Sequence, residues 1–191
     1  MKIRELKALV KEKLNTGMTK QETFDLIVSL NVIRIHDVAN AVRDTASNYY
    51  KQKYKKQNYL LIVMILLAGI IQSTSSILFP EKADIQTLPS NIFLMLTYTA
   101  VAFGIYAYYK LSYSAAILLS IISMYMSIQN LIIHEKMIAE IFYYLVISAI
   151  GLIIICMSGI LYSKYFRGYD IKPVGKGENN RMETYVFKEE K

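Results

Sequence analysis

Between residues 58 and 163 the chain carries only seven charged side chains: Lys82, Lys110 and Lys136, with Glu81, Asp84, Glu135 and Glu140. A water-soluble core of that length would need far more charge on its surface. Four apolar runs fill the interval, at 58–79, 91–109, 112–133 and 141–163. About 20 apolar residues let a helix cross the hydrocarbon core of a bilayer, and each run is near that length. None alternates apolar with polar residues, as transmembrane β-strands do. The expected fold class is therefore all-α: an integral membrane protein with a four-transmembrane-helix bundle. A small N-terminal cytoplasmic helical module (1–57) precedes the bundle (58–163), and a short cytoplasmic tail (164–191) follows it.

Orientation comes from the basic residues. YYKQKYKKQ (49–57) brings four lysines to the start of the first run, Lys110 lies in the tight link between runs two and three, and Lys164 and Arg167 follow run four. The other two links, FPEKADIQTLPS (79–90) and HEKMIAE (134–140), each hold one lysine and two acids. The positive-inside rule puts both termini in the cytoplasm of a multi-pass protein of the inner (plasma) membrane. The first apolar run starts too far into the chain for a cleaved leader, so it is expected to act as an uncleaved insertion signal. The net charge of +7 then reflects topology and contact with anionic lipid heads. The bilayer is the expected partner; no nucleic acid is expected.

The first 50 residues read as short amphipathic helices. IRELKALVKEKL (3–14) sets Ile3, Leu6, Leu9, Val10 and Leu14 on one face, and Gly17 suits the stop after it. TKQE (19–22) is a capping box opening a second helix with Phe24, Ile27, Val28 and Leu30, expected to end near Asn31. Asp37 is expected to cap a third helix through Val38, Ala41, Val42 and Ala46, running on past Tyr49, Tyr50 and Tyr54 into the first span. A module this small is marginal alone and calls for the membrane surface, the tail or neighbouring subunits. In the tail, 182–187 has strand character. Phe24, Tyr185 and Phe187 are the expected contacts, either of the tail with the helical module or of both with a soluble cytoplasmic partner.

Chemistry-bearing residues are sparse. The two histidines, His36 and His134, fall on opposite sides of the expected membrane, and the single Cys156 forms no metal-binding spacing. No phosphate-binding glycine loop and no nucleophile–base pair occur, so no enzyme, cofactor or metal is expected. The spans offer no charged relay of the kind that ion-coupled transport uses.

Uncharged polar residues carry the remaining signal. In SAAILLSIISMYMSIQN (114–130), Ala116, Ser120, Ser123, Ser127 and Asn130 recur at steps of four, three, four and three, which places them on one helical face. Such a stripe serves either close packing, since small residues let helices approach in lipid, or a narrow water path. Gln72, Ser76 and Gln129 should lie near the same ends of their spans and could form an outer polar vestibule. Ala68–Gly69, Ala100 with Gly104, and Ser148, Gly151 and Ser158 fit the packing role.

These features lead to two expectations. One is a homo-oligomeric channel or pore-like effector with a cytoplasmic regulatory or assembly module. The other is a non-conducting scaffold or sensor that recruits a soluble partner through its cytoplasmic helices and tail. In layout alone the chain resembles small multi-span effectors and accessory proteins of bacterial anti-phage systems, which implies a cytoplasmic sensing module paired with a membrane bundle.

Overall fold

The computed structural model of the chain describes residues 2–30, 34–74, 87–133, 138–166, 168–174 and 182–187. Helices dominate: α1 (Ile3–Asn15), α2 (Lys20–Ser29), α3 (Ile35–Arg43), α4 (Asn48–Lys53), α5 (Lys55–Ser73), α6 (Thr87–Tyr106), α7 (Lys110–Ile133) and α8 (Ile138–Tyr165). Two strands follow, β1 (Tyr169–Val174) and β2 (Met182–Phe187). They pair antiparallel with Tyr169 opposite Phe187 and Val174 opposite Met182. Four helices are long and apolar enough to cross a membrane: Lys55–Ser73, Pro89–Tyr106, Lys110–Gln129 and Ile138–Tyr165. The chain divides into two compact units, 1–55 with 163–191, and 56–162.

In the terminal unit, α1, α2 and α3 pack around Leu6, Val10, Leu14, Phe24, Ile27, Val38 and Val42. Helix α1 stops where expected, because Gly17 takes φ 96° just beyond the C-cap Thr16, a conformation that costs glycine nothing. The capping box of α2 is present: the Glu22 N–H donates to Thr19 Oγ1 at 3.1 Å, and the Thr19 N–H donates to Glu22 Oε2 at 2.8 Å. The carboxylate is held below the usual glutamate range by the Thr19 backbone bond first and the Thr19 hydroxyl second.

The third helix differs from expectation. Arg34 occupies its N-cap, and Asp37 lies inside the first turn, where its charge complements the helix dipole. It also ends at Arg43 instead of running into the first span. Thr45 Oγ1 turns back to the Ala41 carbonyl at 2.8 Å, and Arg43 pairs with Asp44 at 2.9 Å. Thr competes in this way for a backbone carbonyl that a continuing helix would use. A separate short helix, α4, carries Tyr49 and Tyr50. Asn31, the expected end of α2, lies outside the described residues.

The tail completes this unit. Phe24 meets Tyr185 at 5.8 Å and Phe187 at 5.6 Å between ring centroids, and Tyr169 meets Tyr185 at 4.8 Å. Tyr185 and Phe187 are two residues apart and so share one face of β2. The Gln21 side chain acts as a surrogate strand edge: its Oε1 accepts from the Phe187 N–H at 3.0 Å, and its Nε2 donates to the Tyr185 carbonyl at 3.4 Å. Phe24, Tyr185 and Phe187 are thus buried together in the chain's own core.

Lys20 is buried in the same unit. Its ammonium donates to the carbonyls of Arg43 at 3.2 Å and Tyr165 at 3.0 Å. These are the last residues of α3 and α8, whose terminal carbonyls lack intrahelical partners and sit at the negative helix end.

The second unit is a four-helix bundle in up-down-up-down order. Asn58 near the start of α5 donates to the Ile105 carbonyl near the end of α6 at 3.3 Å, so these two run antiparallel. Tyr113 near the start of α7 donates to Asn58 Oδ1 at 2.6 Å, and Gln72 at the end of α5 reaches Ser123 further along α7, so α5 and α7 run parallel. Tyr143 near the start of α8 donates to the Ile71 carbonyl at 3.1 Å, which sets α8 antiparallel to α5. The α6–α7 link is a tight helix stop in which the Tyr109 N–H reaches the Gly104 carbonyl at 2.8 Å and the Tyr108 N–H reaches Ile105 at 3.0 Å. This Schellman geometry requires a left-handed residue, and Tyr108 fills the position at φ 58°.

Helix α8 begins at Ile138, ahead of the expected start, and brings Glu140 into its first turn as a buried residue. The fourth apolar helix therefore carries a carboxylate that the sequence reading left in the preceding loop; an acid there complements the helix N-terminus. Cys156 is exposed on α8.

Candidate functional site: a polar cavity in the four-helix bundle

The stripe on α7 faces the bundle's own interior. Ala116, Ser120, Ser123 and Ser127 are 2%, 1%, 8% and 5% exposed. The backbone of Asn130 continues α7, but its side chain lies outside the description. Tyr113, three residues before Ala116, extends the face and is fully buried. Helix α5 answers with Asn58, Leu61, Ile65 and Ala68 at the same three–four spacing, all buried, and Gln72 continues the row by four.

Close approach at three glycines sets the walls. A Cβ on Gly69 would come 2.9 Å from the Tyr98 Cβ, and one on Gly151 would come 2.8 Å from Met124 Cγ. A Cβ on Gly104 would collide with the Ser112 hydroxyl. Backbones can approach this closely only where no side chain intervenes. Gly69, Gly104 and Gly151 thus have the packing geometry expected of them, whereas Gly159 faces open space. The hydroxyls of Thr97 and Thr99 return to their own helix, at 2.8 Å from the Phe93 and Met95 carbonyls. They add no polarity to the interior.

Near the Ser73 end of α5 the bundle encloses a half-open cavity of about 380 Å³. Its polar wall is formed by Gln72, Tyr98, Ser123, Ser127 and Tyr143, with Ser90 and Asn91 at the start of α6. Phe93, Leu94, Leu119, Ile122, Met126 and Ile147 supply the apolar wall. A chain of bonds orients the polar side: Tyr98 OH donates to Gln72 Oε1 at 3.2 Å, and Gln72 Nε2 donates to Ser123 Oγ. Among the described residues, no side chain in the wall carries a formal charge.

Gln72 of the expected vestibule therefore joins the stripe. Gln129 does not; it is exposed on α7 and bonds Tyr125 one turn back. Ser76 lies outside the described residues. Tyr98, Tyr143 and Asn58 are the polar contributors that sequence reasoning passed over. Tyr113 was legible in principle, because it falls on the same three–four register as the stripe. Hydroxyls of Ser120, Ser148 and Ser158 are buried with no hydrogen-bond partner among the described residues. Also among the described residues, no group of three or more His, Cys, Asp or Glu side chains is placed to hold a metal ion.

The cavity has the composition of a small-molecule site, apolar in the main with a few convergent polar groups. It offers hydrogen bonds and volume but no nucleophile–base pair. Compared with protein-family models, curated proteins and solved structures, the chain has no match.

Proposed function

We propose that this chain is a multi-pass protein of the plasma membrane, with both termini in the cytoplasm, that works as a non-conducting sensor or scaffold. One observation carries this reading. The hydroxyl stripe, the best pore-wall candidate in the sequence, is buried inside a single chain and opens onto a cavity of ligand size. A pore lined at a subunit interface would need that face turned outward. The lysines at 51, 53, 55 and 56, Lys110 and Lys164 support the orientation through the positive-inside rule. The terminal unit would be the part that meets a soluble cytoplasmic partner, through surface other than Phe24, Tyr185 and Phe187.

A homo-oligomeric channel or pore-like effector is the second reading, and the anti-phage setting attaches to it by layout alone. It is favoured by the buried hydroxyls of Ser120, Ser148 and Ser158 that lack partners among the described residues, because water threading the bundle would satisfy them. Single-channel recording of the full chain in planar bilayers separates the two. The sensor reading expects no discrete current from wild type. Currents that vanish in folded Ser123→Leu and Ser127→Leu variants would overturn it in favour of a water path along α7.

A further inference from the structure

We infer that the bundle cavity is a binding site for a neutral, single-chain amphiphile with a hydroxyl or ester head, of the monoacylglycerol kind. The inference rests on the four-span reading above and names the ligand class of the same site. Three observations converge. Among the described residues the wall holds no charged side chain, so an ionised head would be desolvated there without a counter-charge from them, at heavy cost. Ser127 is 5% exposed and lines the cavity, where its hydroxyl can meet a ligand oxygen. Tyr98, Gln72 and Ser123 beside it already bond one another, and recognition of a ligand oxygen falls to Ser127.

The mouth determines where the ligand comes from. Phe93 is 73% and Met126 59% exposed at the cavity, and both lie on helices apolar enough to cross a membrane. In a bilayer these side chains face acyl chains. A ligand entering past them partitions from the lipid phase, with its head toward Ser127 and its chain along the Phe93, Ile122 and Met126 side.

The test uses the full chain in phosphatidylcholine nanodiscs and a monoacylglycerol carrying a photoreactive diazirine in its acyl chain. Saturable labelling is expected on peptides covering 93–98 and 122–127. Unlabelled monooleoylglycerol should displace it at least ~10-fold better than oleate, which has the charged head, or hexadecane, which has none. Ser127→Ala should weaken apparent binding by roughly 5- to 10-fold, the loss of one hydrogen bond. Ile147→Phe, which fills the cavity with an apolar group, should abolish saturable labelling in protein that still elutes as wild type. Equal displacement by oleate, or unsaturable labelling spread over the outer faces of all four helices, would overturn the inference. Release of the chain from vesicles by alkaline carbonate would instead overturn the four-span reading, independently of any labelling result.

Discussion

Replacing Lys20 by Met tests the least expected interaction in the terminal unit. The side chain is only 3% exposed, and its ammonium meets the Arg43 and Tyr165 carbonyls at 3.2 and 3.0 Å. Methionine keeps much of the aliphatic stem but donates nothing. Each buried carbonyl that loses its donor costs about 1–3 kcal/mol. Part of that is offset because an ammonium no longer has to be desolvated. The net loss should be about 2–4 kcal/mol, which is roughly a 30- to 700-fold fall in local protection at ~1.4 kcal/mol per decade. Hydrogen–deuterium exchange on the full chain in detergent micelles reads this directly, at amides of 38–43, 163–166 and 182–187. Faster exchange is expected in all three segments, because Lys20 ties the ends of α3 and α8 and its neighbour Gln21 holds β2. Lys20→Arg should recover part of the protection. Unchanged exchange in Lys20→Met would refute the reasoning, since the two carbonyls would then be satisfied without the ammonium.

Two further outcomes follow from the geometry. Because the Thr19 backbone and hydroxyl bonds hold the Glu22 carboxyl below the ordinary glutamate range, its contribution to the α2 cap is present above that ordinary range and is lost as pH falls through the lowered folded value. Exchange rates of α2 amides should therefore rise on acidification in wild type, and the acid limb should flatten in Glu22→Gln; an unchanged limb would remove the capping box from the account. In the bundle, Gly104→Val should force α6 and α7 apart at Ser112, at about 1–3 kcal/mol. Gly159→Val, facing open space, should be near neutral, and thermal aggregation of the two variants in detergent should differ accordingly.

Much of the local structure was legible in the sequence. Gly17 and the TKQE box are short-range signals, decided by backbone sterics and bonds between residues three apart. The apolar runs were equally legible, because length and hydropathy are additive along a chain. The α7 stripe was legible as a face, since periodicity depends only on the helix. The direction of that face was not. Whether Ser120, Ser123 and Ser127 turn toward a neighbouring subunit or inward depends on what α5, α6 and α8 offer, and Tyr98 and Tyr143 gave no periodic warning of their role. The break after Arg43 is not legible because apolar spacing continues through Ala46 and Tyr50, while Thr45 turns its hydroxyl onto the Ala41 carbonyl.

Sequence alone determined that this protein has four helices able to cross a membrane and basic residues concentrated on one set of connections. Those properties follow from composition and spacing. Only the tertiary structure decided that the tail hairpin is part of the N-terminal core, that Lys20 closes two helix ends, and that the serine stripe lines a cavity within one chain. Each of those joins residues far apart in sequence, such as Lys20 with Tyr165 and Gln72 with Ser123. Such pairings depend on how whole helices fit together, and no local pattern encodes them.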